Sequence, residues 1–198
     1  MPRISLTDLV DIVSKSGSPK ATKVSQVKNR DEYQPGTDFY KQFRDGLVGI
    51  HKAGGSRNEL AGILQGVSEK NRLSNYPAAI TGYKKWWGKK ELKWFQPPNE
   101  LFSGSGVDVS INPELGLLIN GERHLVKLYL KADKLTKARA DLITGLMEEA
   151  LGVASKDAKM SVLDVRNAKL FVGASASASF LPMIEAELAY IAKLWPSL

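Results

Sequence analysis

The pair Asn120-Gly121 constrains the fold of this 198-residue chain more than any other short feature. Both residues tolerate the positive φ angles of a type I′ turn, and apolar runs flank them at 115–119 and 124–132. The sequence therefore predicts two antiparallel strands joined by a tight turn. A third strand is predicted at 107–111, because apolar and polar residues alternate there.

Side chains of the predicted strand at 124–132 should alternate between two faces of the sheet. One face carries Val126, Leu128 and Leu130. The opposite face carries Lys127, Tyr129 and Lys131. Since lysines alternate along this second face, we expect it to be exposed to solvent.

Helical spacing dominates the chain before Pro97-Pro98. In this part of the chain, helices are predicted at 5–15, 38–52, 56–67 and 77–88, and a polar loop at 21–35. After Pro97-Pro98, helices are predicted at 137–151, with Thr136 as N-cap, and at 180–195. A second hairpin is predicted at 161–172. The predicted class is α+β, with N-terminal helices followed by a mainly antiparallel β-β-β-α-β-β-α sheet layer packed with helices. We expect a helical, basic region at 1–96 that packs on the sheet and an α+β region at 97–198, together one compact domain.

Composition restricts the cellular setting and the chemistry. The chain has no cysteine, so thiolate metal sites and disulfides are excluded. No apolar stretch reaches the roughly 20 residues that cross a bilayer, and the N-terminus lacks the pattern of a signal peptide. We therefore expect a cytoplasmic protein with no membrane partner.

The net charge of +7 lies in the first half of the chain. Residues 101–198 hold 11 basic and 11 acidic residues, whereas 70–93 hold seven basic residues and one acid. Within this basic stretch, 82–95 combines five lysines with three tryptophans. Such asymmetry is typical of a surface that binds an anionic partner.

The segment 82–95 allows two interpretations. Gly88 predicts a helix that ends at Trp87, a turn at 88–91 and an extended piece at 92–95 that could join the sheet as an edge strand. In one interpretation the tryptophans lie in the core and the lysines favour the helix C-terminus. In the other, an exposed indole stacks on a base while lysines neutralise phosphates. The predicted nucleic-acid-binding residues are Lys84, Lys85, Trp86, Lys89, Lys90 and Lys93, with Trp86 as the stacking residue.

The leading hypothesis is a non-enzymatic protein that binds nucleic acid or another anionic macromolecule through this segment. An oligomeric scaffold is an alternative, because the last predicted helix ends in a sequence whose Trp195 could contact a second copy of the chain. Neither hypothesis predicts a cofactor or a metal.

A third hypothesis concerns the predicted hairpin. Glu114 follows Pro113 directly before the strand at 115–119, and Lys131 lies at the end of the next strand. Over 78–166 the predicted order of helix, three strands, helix and strand resembles the core of the PD-(D/E)XK nucleases. In that family an acid on the second strand, and an acid and a lysine on the third, bind magnesium and position water for phosphodiester cleavage.

This resemblance implies a metal-dependent nuclease-like enzyme as an alternative function, with magnesium as its cofactor. Its catalytic residues would be Glu114 and Lys131, with Asp108 on the neighbouring strand as a second acid. The chain departs from the family pattern, because Tyr129-Leu130-Lys131 stands where the family has Glu-x-Lys.

Overall fold

A computed structural model describes residues 1–30, 38–65, 67–174 and 177–198. The helices are α1 (Leu6–Val13), α2 (Gly17–Lys28), α3 (Lys41–Lys52), α4 (Lys70–Trp87), α5 (Lys137–Leu151) and α6 (Phe180–Leu194). The strands are β1 (Arg3–Ser5), β2 (Leu92–Phe95), β3 (Glu100–Gly104), β4 (Val107–Ile111), β5 (Leu115–Ile119), β6 (Glu122–Tyr129), β7 (Ala158–Asp164) and β8 (Lys169–Val172). Short 3₁₀ helices span Glu59–Leu64 and Trp195–Ser197.

The described strands form two mixed sheets, and the predicted α+β class is confirmed. The larger sheet has the order β2-β5-β6-β7-β8. Its strands β6 and β7 are parallel and are connected through α5, whereas its other neighbours are antiparallel. The smaller sheet has the order β1-β4-β3, with β1 parallel to β4.

The turn at Asn120-Gly121 forms as predicted. Asn120 has a φ of 50° and Gly121 a φ of 89°, which are values that a type I′ turn requires. Ile119 pairs with Glu122 across the turn, so the hairpin of β5 and β6 begins directly beside it. This register places Leu115 opposite Val126, which brings the residue before β5 close to the end of β6.

The prediction that the strands at 107–111, 115–119 and 124–132 belong to one sheet is wrong for the first of them. The strand at 107–111 is β4, and it belongs to the smaller sheet, where residues 3–5 supply a parallel neighbour. The place beside β5 in the larger sheet is taken by β2, so the prediction that 92–95 forms an edge strand is confirmed. Alternation identifies a strand but not its neighbour, because pairing depends on tertiary contacts.

Three helical segments differ from the prediction. The helix predicted at 56–67 is a short 3₁₀ helix, Glu59–Leu64. Residues 17–28 form α2, so 21–28 is helical and not part of a polar loop; of the rest of the loop predicted at 21–35, residues 31–35 lie outside the described residues. The helix buries one side chain, Val24, so its apolar periodicity is too weak to detect. Helix α4 begins at Lys70, before the predicted start at Pro77, and includes that proline. Tertiary contacts stabilise this first part of the helix; for example, the hydroxyl of buried Tyr76 donates a hydrogen bond of 2.5 Å to the carbonyl of Phe39.

The hydrophobic core consists of two clusters, and the side chains of β6 divide between them. Val126 and Leu128, together with Leu130 directly after the strand, join the cluster formed with α3 and α4. Leu125 and Tyr129 join the other, formed with α1, α5 and α6. The expectation that the face of Lys127 and Tyr129 is exposed is therefore wrong, because helices cover both faces; Lys127 is 8 % exposed and Tyr129 7 %.

Each cluster combines residues from before and after residue 96. Helices α3 and α4 pack on the larger sheet, whereas β1 and α1 pack with the smaller sheet and α5. The region 1–96 is not purely helical, since it supplies β1 and β2. Among the described residues, no helix combines the length and apolar composition needed to cross a membrane.

Helix α4 approaches the turn between β7 and β8 at Gly82. A methyl group at Gly82 would collide with the carbonyl oxygen of Val165. We expect Gly82→Ala to lower the free energy of unfolding by about 1–3 kcal/mol, because overpacking forces the backbones apart. Urea denaturation measures the change.

Gly49→Ala in α3 is the matched control for this prediction. Nothing lies within 4 Å of a methyl group at that site, so we expect the free energy of unfolding to rise by about 0.5–1 kcal/mol. Equal effects at both sites would contradict the packing described here.

Candidate functional site

The segment 82–95 has the predicted organisation of helix end, turn and edge strand. Helix α4 ends at Trp87, and Gly88 follows with a φ of 53°. A positive φ favours glycine, so the chain reverses here and enters β2 at Leu92. The lysines of the segment therefore lie around the C-terminal end of one helix.

The tryptophans of this segment differ in exposure. Trp86 is 4 % exposed and contacts Tyr83, with ring centroids 5.2 Å apart. Trp87 is 7 % exposed and stacks on His51 at a centroid distance of 4.6 Å. The prediction that Trp86 offers an exposed indole is wrong, because it lies on the face of α4 that packs in the core. Trp94 in β2 is partly buried.

The predicted lysines fall into three groups. Lys84, Lys85 and Lys89 are exposed. Lys90 donates to the backbone carbonyl of Trp86 and lies 5.4 Å from the centroid of that indole. Lys93 pairs with Glu91 at 2.8 Å. Of the five lysines, three are therefore free to contact an external anion, and two have local partners.

Two further cations, which the sequence did not indicate, lie beside these lysines. Arg57 donates to the carbonyl of Gly88, and Lys52 ends α3 next to His51. The stacking of His51 on Trp87 joins the ends of α3 and α4. No local signal could have found this pair, because it depends on helix packing.

We call the exposed cations at this place the basic surface: Lys52, Arg57, Lys84, Lys85 and Lys89. Within the described ranges, none of the five forms an ion pair. The stretches 51–59 and 84–93 together carry seven basic residues and two carboxylates, a formal net charge of +5. The basic surface is thus a concentrated and largely uncompensated positive charge.

A buried polar pair lies beneath the basic surface. Nε2 of His51 lies 2.7 Å from the hydroxyl of Tyr83. Burial lowers the pKa of His51 to about 4, and burial also raises the pKa of Tyr83 well above its ordinary value. Both groups are therefore neutral near pH 7, and His51 adds no charge to the surface above it.

A polar groove of about 740 Å³ adjoins the basic surface and contains Lys52 and Trp94 in its wall. It lies between α1, α3, β2 and the turn before β5. Among the described residues, its wall contains three ion pairs: Asp8 with Arg30, Asp38 with Arg44, and Glu114 with Lys127. Burial raises the pKa of Asp8, but hydrogen bonds from Arg30 and Ser5 outweigh it and leave the pKa below its ordinary value. The acids of the groove are therefore compensated.

The pair of Glu114 and Lys127 is the most enclosed of these ion pairs. Oε1 of Glu114 lies 2.7 Å from Nζ of Lys127, and Oε2 accepts the backbone N–H of Leu128 at 2.8 Å. Lys127 also donates to the carbonyl of Asn112 at 2.9 Å. The side chains are 16 % and 10 % exposed, so each charge depends on the other.

The three catalytic candidates from the sequence do not come together. Lys131 pairs with Asp11 and not with Glu114. Asp108 lies in the smaller sheet, where it accepts a hydrogen bond of 2.6 Å from Ser103. The lysine that meets Glu114 is Lys127, because the hairpin register sets the start of β5 opposite the end of β6.

The residues around Glu114 do not fit a magnesium site. Strands β2, β5 and β6 are adjacent, with Glu114 before the second and Lys127 on the third. Two residues before Lys127, where the nuclease pattern has its acid, stands Leu125, which is fully buried. Both oxygens of Glu114 already accept hydrogen bonds. In the residues that the structure describes, no group of three or more histidine and acidic side chains could hold a metal ion.

Trp195, the residue proposed for oligomer contacts, is partly buried. It packs against the cluster formed with α1, α5 and α6. Its backbone carbonyl accepts a hydrogen bond of 2.7 Å from Lys28. Part of the indole is thus used within the chain, and the oligomer hypothesis stays a prediction.

Comparison with known proteins gives no family assignment. No protein-family model matches the chain, and a search of curated proteins finds no significant match. The functional argument therefore depends on the geometry of the basic surface and the groove.

Proposed function

We propose that this protein binds nucleic acid through the basic surface. The observation that carries the proposal is the group of five exposed cations without a carboxylate partner in the described ranges, joined by the packing of α3 on α4. Cations of this kind neutralise phosphates and release counterions, which supplies most of the affinity of sequence-independent binding. The field of the helix C-terminus accounts for Lys84 and Lys85 in the last turn of α4, because cations are favoured there. It does not account for Lys89, which lies beyond that turn.

The chemistry of the basic surface favours contacts with the backbone of the nucleic acid. Four of its five members are lysines, whose ammonium groups act as point charges without the planar fork of arginine. Contacts to phosphates position a nucleic acid but do not read its sequence. We therefore expect binding with little sequence preference and a strong dependence on salt.

Fluorescence anisotropy with a labelled oligonucleotide, at several salt concentrations, tests the proposal. Replacing Lys84, Lys85 and Lys89 together with alanine should reduce the slope of log K against log salt by about two to three units, since each lost phosphate contact removes about 0.7–0.9. The matched control replaces Lys134, Lys156 and Lys193 with alanine. These lysines are also exposed; Lys134 and Lys156 lie in the connections before and after α5, and Lys193 lies in α6.

Both triple variants lose the same formal charge, so they separate a local contact from a general charge effect. The proposal requires that the control binds almost as tightly as the natural chain at low salt. No binding at low salt, or the same loss in both variants, would contradict it. Circular dichroism of both variants shows whether the fold is retained.

The alternative of metal-dependent cleavage is tested at the groove wall where Glu114 and Lys127 meet. Because Leu125 replaces an acid and both oxygens of Glu114 are occupied, we expect no cleavage of labelled DNA or RNA when magnesium is added. Cleavage that requires magnesium and disappears in Glu114→Gln would establish the nuclease hypothesis instead.

A further inference from the structure

The groove beside the basic surface shares a cation with it. Lys52 belongs to the basic surface and also contributes to the wall of the groove. The volume of about 740 Å³ falls within the range of sites that hold small organic ligands. A nucleic acid held on the basic surface would therefore lie next to a concave site large enough for a nucleotide.

Trp94 gives this groove a surface on which a base can stack. Of Trp86, Trp87 and Trp94, Trp94 is the one that is partly exposed and lines the groove. Nζ of Lys52 lies over the face of this ring, 5.6 Å from its centroid, so a base that stacks on this face displaces the ammonium group towards the phosphate. An indole with an adjacent ammonium group is the combination that binds unpaired nucleotides, because one stacks on the base while the other meets the phosphate.

The remaining wall of the groove suits a nucleotide as well. The carboxylates of the three ion pairs are each matched by a cation, so the described charged side chains of the wall, with Lys52, carry a formal excess of one positive charge. Gln96, Asn99 and Asn112 are exposed at the rim. Their amides can donate to and accept from the Watson–Crick edge of an unpaired base.

We propose that this groove holds an unpaired nucleotide, with the base on Trp94 and the adjacent phosphate at Lys52, and that the protein consequently prefers single strands to duplexes. The inference rests on the proposed function, since it assumes that the basic surface brings the strand to the groove. In a duplex the base faces are stacked and the edges paired, so a duplex can use the basic surface but not the groove. A single strand can use both.

Binding of a single-stranded oligonucleotide and of a duplex of the same length tests the inference. Trp94→Leu should weaken single-strand binding roughly 5- to 140-fold, the loss of one stacked base, and leave duplex binding unchanged. Trp94→Phe, which keeps an aromatic ring, should retain most of the affinity. Trp195→Leu is the matched control, because Trp195 is also partly buried but lies in another element.

Cross-linking of the natural chain gives a second measurement that needs no variant. A single strand carrying 5-iodouracil, irradiated in the complex and digested, should cross-link to the peptide that contains Trp94. Cross-links confined to other peptides would overturn the inference even if Trp94→Leu fails to fold.

The outcomes separate this inference from the proposed function. If Trp94→Leu binds single strands as the natural chain does, while alanine at Lys84, Lys85 and Lys89 weakens binding, the groove inference fails and the proposed function stands. If neither nucleic acid binds at low salt, both fail. Equal affinity for single strand and duplex in the natural chain also overturns the groove inference alone.

Discussion

Replacing Lys127 with methionine should lower the free energy of unfolding by about 3–5 kcal/mol, the usual cost of leaving one partner of a buried ion pair alone. The side chain of Glu114 is 16 % exposed, and one of its oxygens has Lys127 as its partner at 2.7 Å. Methionine fills a similar volume but cannot donate a hydrogen bond. The carboxylate would then remain desolvated with only the backbone N–H of Leu128.

Two variants make this first prediction specific. In the double variant with Glu114→Gln and Lys127→Met, a neutral amide replaces the carboxylate, so we expect most of the lost stability to return. Lys137→Met removes the same type of side chain from the exposed pair with Asp141 and should cost less than about 0.5 kcal/mol. Urea denaturation measures all three. A cost below about 1 kcal/mol for Lys127→Met would mean that the pair is in contact with water.

Acidification should destabilise the fold through His51. The pKa of His51 is about 4 in the folded chain because of burial, against an ordinary value of 6.5. The unfolded chain therefore binds a proton more readily, and stability falls as the pH is lowered from 6.5 towards 4. At about 1.4 kcal/mol per pH unit, His51 should cost about 2 kcal/mol between pH 7 and pH 5, and about 3 kcal/mol in full.

The variant His51→Gln isolates this pH effect. Its stability at neutral pH changes through lost packing against Trp87, so the quantity to compare is the slope of unfolding free energy against pH between 5 and 6.5. The pKa of His124 is also lowered, by burial and by the charge of Lys159. His124→Gln is therefore the control, and we expect it to keep the part of the pH dependence that comes from His51. An unchanged slope in His51→Gln would show that His51 titrates normally in the fold.

Local features of this fold could be read from the sequence. The turn at Asn120-Gly121 and the N-cap of α5 by Thr136 form as predicted, with Thr136 accepting the backbone N–H of Arg139 at 3.3 Å. Gly88 ends α4 at Trp87 as predicted. Each of these features is decided by residues within a few positions of one another, so the sequence contains the necessary information.

Features that depend on distant contacts could not be predicted. The alternation of 107–111 indicates a strand, but only the folded chain places β4 beside Arg3–Ser5. Lys127 stands in an alternating pattern typical of an exposed face, yet it is buried, because α1 and α5 cover that side of β6. A buried lysine needs a partner, and Glu114 lies thirteen residues away in the sequence.

At the candidate site, too, the locally determined features could be predicted from the sequence and the features that depend on tertiary packing could not. The lysines at 84, 85 and 89 were identified from charge and composition, and they are exposed as a contact surface requires. The sequence does not determine which tryptophan is available for stacking, because the exposure of an indole depends on which helix face packs in the core. The partly exposed tryptophan is Trp94 and not Trp86. Lys52 joins the surface through the packing of α3 on α4, and Arg57 joins it through its hydrogen bond to the carbonyl of Gly88.

The most direct test of the central claim is to map which lysines a bound nucleic acid protects. Reductive methylation of the chain, with and without a saturating single-stranded oligonucleotide, is read by mass spectrometry of the peptides. The account predicts protection of Lys52, Lys84, Lys85 and Lys89 and unchanged modification of Lys134, Lys156 and Lys193. Equal modification of the first group with and without the oligonucleotide, under conditions where binding is measured independently, would contradict it.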